Sequence, residues 1–299
     1  MTTIIDGKEV SKRILEEIKK ETEEIRKKYN LVPNLNVILV GDNPASQSYV
    51  RSKEKRANEI GFDSKTHYLP KDIKREEFFS LIDSLNKDES VDAILVQLPL
   101  PSHIKEEEVI SFISPEKDVD GFHPYNLGKL LRGEDTIYPC TPFGIVKLLE
   151  YYNIEVKGKE VVVIGRSNIV GKPIAMMLAS KNEWANATVT IAHSRTKNLK
   201  DVTKRADIVI VATGKVNTLT ADMVKEGVVV IDVGINRIED KNSPKGYRLV
   251  GDVDFKEVSK KASFITPVPG GVGPMTIAML MYNTLELFKR NRLKRYIER

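Results

Sequence analysis

The segment Gly165-Arg166-Ser167-Asn168-Ile169-Val170-Gly171-Lys172-Pro173 has the makings of an anion-binding turn. It follows the apolar run Val161-Val162-Val163-Ile164 and opens a helical stretch. Backbone amides and the positive end of a helix dipole then converge on a phosphate. Gly165 and Gly171 keep the turn tight, while Ser167 takes the second glycine position of the usual Gly-x-Gly-x-x-Gly pattern. In an NAD-specific fold the next strand ends in a carboxylate that grips the ribose diol. Here that strand ends in His193-Ser194-Arg195-Thr196, without an acid. A hydroxyl at Ser194 and guanidinium groups at Arg195 and Arg166 suit the extra 2′-phosphate of NADP instead. Two further strand ends, Ala212-Thr213-Gly214-Lys215 and Asp232-Val233-Gly234-Ile235-Asn236, fall where such folds line the cofactor crevice. Thr213 and Ile235 join the cofactor candidates on that ground.

Other polar residues stand on a helix face, at a strand end and in a turn of the first half of the chain. Tyr49 and Lys53 are four apart, so a helix carries them on one face. Gln97 closes an apolar strand, and Asp120 stands in Lys117-Asp118-Val119-Asp120-Gly121-Phe122. Taken singly, each also fits an ordinary place: Lys53 belongs to the run Lys53-Glu54-Lys55-Arg56, which suits a solvated helix face.

Periodicity supplies the elements that must hold these residues. Val10, Ile14, Ile18 and Ile25 mark one face of a helix over residues 6–29. Strands follow at 36–40, around 67–69 and at 91–98, separated by helices at 44–60, stopping at Gly61, and at 74–85. This β-α-β-α-β pattern predicts a parallel sheet covered by helices. Residues 114–142 read as an irregular stretch rich in Asp, Gly and Pro, and a helix is expected over 142–152. Beyond residue 157 the strands are expected at 160–164, 187–192, 206–212, 228–233 and 263–268, with a helix from the glycine turn through Leu178. Residues 239–248 read as a variable surface loop. An apolar helix over 276–288 needs a partner surface for Ala278, Met279, Met281, Leu285 and Phe288, and the first domain is expected to provide it. At least one of the bonds Leu98-Pro99 and Val268-Pro269 is expected to be cis, because both sit at sharp strand ends. The fold class is therefore α/β with two domains. Residues 1–145, together with the helical tail 276–299, form an N-terminal catalytic domain, and residues 146–275 form a Rossmann-like NAD(P)-binding domain.

Bulk properties narrow the function. The net charge of +5, from 47 basic and 42 acidic residues, is mild and spread along the chain, so it fits anionic small substrates as well as RNA. One tryptophan and no aromatic-basic repeat argue against a nucleic-acid surface. The single cysteine, Cys140, excludes an internal disulfide framework and fits a reducing compartment. Its neighbours Pro139, Thr141 and Pro142 offer no base to activate it. The four histidines show no metal-ligand spacing, so no metal is expected. The start does not read as a signal peptide, and no apolar run is long enough to span a membrane. A cytoplasmic enzyme without a membrane or nucleic-acid partner is the expectation.

Taken together, the motifs resemble the methylenetetrahydrofolate dehydrogenase/cyclohydrolase family. The resemblance rests on Tyr49-Val50-x-x-Lys53, Val96-Gln97-Leu98-Pro99-Leu100-Pro101, Lys117-Asp118-Val119-Asp120-Gly121-Phe122, Pro139-Cys140-Thr141-Pro142, Gly165-Arg166-Ser167-x-x-Val170-Gly171 and Pro267-Val268-Pro269-Gly270-Gly271-Val272-Gly273-Pro274-Met275-Thr276. The blocks lie in order across most of the chain, and the last is the most specific.

The resemblance implies NADP-dependent oxidation of 5,10-methylenetetrahydrofolate to the methenyl form, followed by hydrolysis to 10-formyltetrahydrofolate. It implies a folate cleft between the two domains. Lys53 becomes the key hydrolytic residue, with Tyr49 and Gln97 around it and Asp120 on the pterin edge. Pro269, Gly270 and Gly273 belong to a loop that brings backbone close to the substrate. The resemblance also implies a homodimer. Rival readings are another two-domain NADP oxidoreductase, such as a shikimate-dehydrogenase-like enzyme, and a basic RNA-binding protein that retains a nucleotide fold.

The cofactor assignment predicts a selective defect. A guanidinium–phosphate contact contributes about 1.5–3 kcal/mol, so Arg166→Ala raises the KM for NADP by roughly tenfold to a hundredfold and leaves that for NAD nearly unchanged. Steady-state kinetics with each nicotinamide check this; equal effects on both would remove Arg166 from the 2′-phosphate.

Overall fold

A computed structural model describes residues 1–298 except 242, 244 and 245. The described strands are β1 (Thr3–Ile4), β2 (Asn34–Val40), β3 (Asp63–Leu69), β4 (Ala93–Val96), β5 (Glu160–Ile164), β6 (Thr188–Ala192), β7 (Ile208–Val211), β8 (Val229–Asp232), β9 (Asn236–Glu239), β10 (Tyr247–Val250) and β11 (Phe264–Ile265). The chain divides into two compact units. The catalytic-side unit holds Lys12–Lys129, Asp135–Tyr138 and the chain from Ile277 onward; the other holds Met1–Ser11, Leu130–Glu134 and Pro139–Thr276.

In the first of these units β2 lies between β3 and β4, all parallel, with Ile38 opposite His67 and Val96. Every residue of β2 after Asn34 is buried, as a central strand covered on both faces requires. Phe78, Ile82 and Leu85, spaced at helical intervals in the helix Arg75–Lys87, pack on that sheet with Ile38, Ile94 and Val96. β3 is longer than its sequence suggests. It is an edge strand with one polar face, so Asp63-Ser64-Lys65-Thr66 carry no apolar alternation. β4 is shorter than expected; just before it, the Asp92 amide still donates to the Asn34 carbonyl at 3.1 Å and the Asp92 carboxylate accepts the Asn34 amide at 2.8 Å.

The other unit has a six-stranded parallel sheet in the order β1-β11-β8-β7-β5-β6. Its core is the Val- and Ile-rich run of β5, β7 and β8, including Val162, Val209 and Val230. The strand after β5 lies on one side of it and the next on the other. The order therefore reverses at β5, and in open parallel sheets ligands bind outside the carboxyl ends of the strands at such a point, here β5 and β7. β1 was not anticipated. It pairs with β11, Thr3 beside Phe264 and Ile4 beside Ile265, so residues 1–11 belong to this unit rather than to the first domain as expected.

Other differences have local causes. The irregular stretch at 114–142 contains the helix Pro124–Arg132, opened by a proline that suits a first helical position. The helix Glu106–Phe112, with three glutamates in its first turn, was likewise not expected. At the ends of the surface loop expected at 239–248, β9 pairs antiparallel with β10, Glu239 opposite Tyr247, and Arg237 lies over the Tyr247 ring. Positions 242, 244 and 245 of that loop lie outside the described residues. β11 covers only two residues, since Pro267 and Pro269 cannot donate to a ladder. Leu98-Pro99 and Val268-Pro269 are both cis. Among the described residues no helix is long and apolar enough to cross a membrane.

The last helix, Val272–Phe288, begins four residues earlier than its apolar pattern implied. From Ile277 on, its side chains are held within the first unit: Asn283 donates to the carbonyls of Val119 and Tyr138, both at 2.9 Å. Just beyond it Arg292 forms a two-pronged pair with Asp92, Nε to Oδ1 at 3.0 Å and the second nitrogen to Oδ2 at 2.7 Å. The Asp92 side chain is 1% exposed. Burial raises its pKa, and the Arg292 guanidinium opposes that rise.

Removing only the arginine strands a buried carboxylate. Arg292→Met is therefore expected to cost about 3–5 kcal/mol of stability. Asp92→Asn combined with Arg292→Met is expected to cost less than Arg292→Met alone, because no orphaned charge remains. Urea unfolding of the three proteins checks the order.

Candidate active and cofactor site

The helix Pro44–Glu59 carries Tyr49 and Lys53. Asn43 caps it, its Oδ1 accepting from the amides of Ala45 at 3.0 Å and Ser46 at 3.2 Å, with Pro44 at the first position. Val50 and Ala57 are buried and set the rotation of the helix. Tyr49 is left 49% exposed, and Lys53 is half-buried beside the end of β4. There the Lys53 Nζ donates to Gln97 Oε1 at 2.9 Å. The Gln97 amide nitrogen donates to the Leu98 carbonyl at 2.7 Å, which fixes which end of the amide faces the amine. Two residues 44 positions apart are thus joined.

Asp120 reaches the same place by a latch. Ile94 of β4 donates its amide to the Lys117 carbonyl at 2.8 Å and bridges to Asp118, so the segment lies beside the strand that ends at Gln97. The buried Asp118 carboxylate accepts from the amides of Phe122 (3.3 Å) and His123 (2.8 Å) and from Asn126 Nδ2 (2.9 Å). Asp120 itself is pushed up to about 6, chiefly by burial; the Lys53 charge opposes this and Asp118 adds to it. Lys53, Gln97 and Asp120 therefore form one cluster, with Tyr49 a turn away on the Lys53 helix.

In the other unit Gly165 ends β5 at φ +131°, and a Cβ there would lie 2.3 Å from the Ala212 carbonyl oxygen. A Cβ on Gly171 would lie 2.2 Å from the Gly165 carbonyl oxygen. These glycines let the turn fold onto itself and onto the end of β7. The amides of Val170 and Gly171 are not open to an anion, because the Ser167 hydroxyl accepts from both, at 3.1 and 3.3 Å. Serine at this position caps the helix Gly171–Ala179.

Arg166 and Arg195 are exposed in the turns after neighbouring strands β5 and β6, and among the described residues neither guanidinium forms an ion pair. Ser194 is exposed beside Arg195, and the His193 ring nitrogen accepts the Arg195 amide at 3.1 Å. Two cations and a hydroxyl without an acid fit a phosphate monoester better than a ribose diol. Thr213 and Ile235 are exposed at the ends of β7 and β8, on the crevice side of the sheet.

The glycine loop also differs from expectation. Gly270 is a loop residue at φ +110°, whereas Gly273 falls in the first turn of the helix Val272–Phe288. Pro269 is exposed beside the loop. The Thr141 and Thr276 hydroxyls meet at 2.9 Å, tying the helix Cys140–Tyr151 to the start of the last helix. Cys140 is a buried thiol.

Sequence reasoning missed Asp232 and Asp252. Asp232 is buried and accepts from the amides of Gly234 (3.0 Å), Asp252 (2.9 Å) and Val253 (3.0 Å). Burial pushes it up to about 6 despite those bonds. The signal was the recurrence of Asp-Val next to glycine, in Asp232-Val233-Gly234 and Gly251-Asp252-Val253.

The family model of the tetrahydrofolate dehydrogenase/cyclohydrolase catalytic domain matches residues 5–120, and that of its NAD(P)-binding domain matches residues 139–292. The bifunctional protein FolD of Bacillus subtilis (strain 168) is 55% identical over 288 residues, 96% of this chain and 98% of that protein. The solved bifunctional FolD methylenetetrahydrofolate dehydrogenase/cyclohydrolase of Campylobacter jejuni is 52% identical, with a TM-score of 0.91, covering 97% of this chain and 99% of that one. The methylenetetrahydrofolate dehydrogenase-cyclohydrolase of Trypanosoma brucei, solved in complex with NADP cofactor and inhibitor, is 41% identical with a TM-score of 0.91, covering 97% and 98%. Matched by both domain models over most of its length, the chain belongs to the tetrahydrofolate dehydrogenase/cyclohydrolase family.

Proposed function

We propose that the protein oxidises 5,10-methylenetetrahydrofolate with NADP and hydrolyses the resulting 5,10-methenyltetrahydrofolate to 10-formyltetrahydrofolate. The observation that carries this reading is the hydrogen bond from Lys53 Nζ to Gln97 Oε1, which holds an amine beside Asp120 in a family of this double activity. The stretch matched by the catalytic-domain model binds the folate, and the stretch matched by the NAD(P)-binding model binds the cofactor. A shikimate-dehydrogenase-like reading is not favoured, since both matched models are tetrahydrofolate models. The protein acts in the cytoplasm as a homodimer.

Bound NADP supplies the hydride acceptor. The methenyl product is a cation stabilised by its own two nitrogens, so no proton leaves in the first step and no base is required. The task of the protein there is alignment. Gly165, Ser167 and Gly171 shape the phosphate turn. Arg166, Ser194 and Arg195 hold the 2′-phosphate, and Thr213 and Ile235 lie along the nicotinamide half. Pro269, Gly270 and Gly273 bring backbone to the folate, and Asp120 accepts from the paired N–H donors of the pterin edge.

Hydrolysis differs, because water must add to the methenyl carbon and the ring must open. The substrate cation beside Lys53 favours the neutral amine by like-charge repulsion. Gln97 holds that amine by accepting a hydrogen bond from one of its N–H groups while the lone pair turns to water. Tyr49, on the same helix face, packs the substrate ring and relays a proton.

This division of labour makes the two activities separable. Lys53→Met keeps much of the side-chain length and removes the amine. The variant is expected to go on reducing NADP with methylenetetrahydrofolate, while hydrolysis falls about a hundredfold to ten-thousandfold. Methenyltetrahydrofolate then accumulates and its absorbance band persists until wild-type enzyme is added. Hydrolysis at the wild-type rate would remove Lys53 from the mechanism, and equal loss of both activities would make it a folate-holding residue.

A further inference from the structure

Asp252 has no exposed surface. Its Oδ2 accepts from the Thr213 amide at 2.7 Å, the Gly214 amide at 2.9 Å and the Thr213 hydroxyl at 3.0 Å. Its Oδ1 accepts from Asn236 Nδ2 at 2.8 Å. Its own amide is taken by Asp232 Oδ1, and its carbonyl accepts the Thr218 amide at 2.7 Å. One carboxylate thus ties the loop after β7 to the residue that follows Ile235 after β8. The packing leaves no slack. A Cβ on Gly234 would lie 2.0 Å from Asp252 Oδ1, and one on Gly251 would lie 1.8 Å from Asp232 Oδ2.

We propose that Asp252 is a positioning residue for hydride transfer: it touches neither reactant and fixes Thr213 and Ile235 at the cofactor crevice. The inference rests on the dehydrogenase reading above. A carboxylate can gather four donors at once because it only accepts. An asparagine carries no charge, has a single accepting oxygen and turns an N–H toward one set of donors, so Asp252→Asn weakens the hold on both the Thr213-Gly214 amides and Asn236. Lys53, Gln97 and Asp120 belong to the other unit. The variant therefore strikes one activity and leaves the other.

The test uses the full chain carrying Asp252→Asn, read four ways: NADPH affinity by nucleotide fluorescence, amide exchange at Thr213 and Gly214 in the free protein, dehydrogenase kinetics at varied NADP, and hydrolysis of methenyltetrahydrofolate supplied directly. The expected result is faster exchange at both amides, weaker NADPH binding, and a fall of about tenfold to a hundredfold in dehydrogenase kcat/KM, with hydrolysis kept within about twofold of wild type. If Asp252→Asn fails to fold, Asn236→Ala removes one donor and is expected to give the same pattern with a smaller amplitude. Unchanged NADPH affinity and dehydrogenase kinetics in the folded variant would overturn the proposal, as would equal losses in both activities. A wild-type protein that reduces no NADP with methylenetetrahydrofolate would overturn the dehydrogenase reading itself and the proposal with it.

Discussion

A carboxylate shut away from water must find all of its hydrogen-bond donors within the protein, and this chain repeatedly places such groups beside strand ends. Asp92 gathers the Asn34 amide and Arg292. Asp118 gathers two amides and Asn126 around the turn that bears Asp120. Asp232 and Asp252 do the same for the loops after β7 and β8. In each case a charge that is costly to bury becomes tolerable only when particular donors point at it. Strand-end loops, otherwise the most pliable parts of an α/β fold, are thereby held in one arrangement.

That constraint also bears on how residues distant in sequence come together. Lys53 and Gln97 meet because a capped helix and a central parallel sheet set the angle of each. Asp120 joins them because Asp118 and the Lys117 carbonyl latch its segment beside β4. The two steps make different demands. Hydride transfer needs two rings aligned and no proton acceptor, which suits a crevice of turns and backbone. Ring opening needs a movable proton, which suits an amine whose charge is sensitive to its neighbours.

Much of this was legible in the sequence. The Val- and Ile-rich runs of β2, β5, β7 and β8 identify buried parallel strands, since strands covered on both faces leave no polar alternation. The glycine turn at Gly165 and the absence of an acid at Ser194 were readable because phosphate chemistry restricts what can stand there. Elsewhere the sequence was silent for physical reasons. β1 is two residues long, and only its pairing with β11 makes it a strand. The helix Pro124–Arg132 lies amid prolines, glycines and aspartates that local propensity assigns to loop. Ser167 reads as a lost glycine, yet its hydroxyl caps the following helix. Asp252 is a single acid before Val253, and its role depends on donors from residues 16 to 39 positions away.

The most direct measurement of the account is a pair of absorbance traces from the purified wild-type protein with methylenetetrahydrofolate, one with NADP and one with NAD. The account predicts growth of the reduced-nicotinamide band, faster with NADP, and turnover of the methenyl intermediate to the formyl product by the same chain. No reduction of either nicotinamide, or reduction with the methenyl form left unhydrolysed, would contradict it.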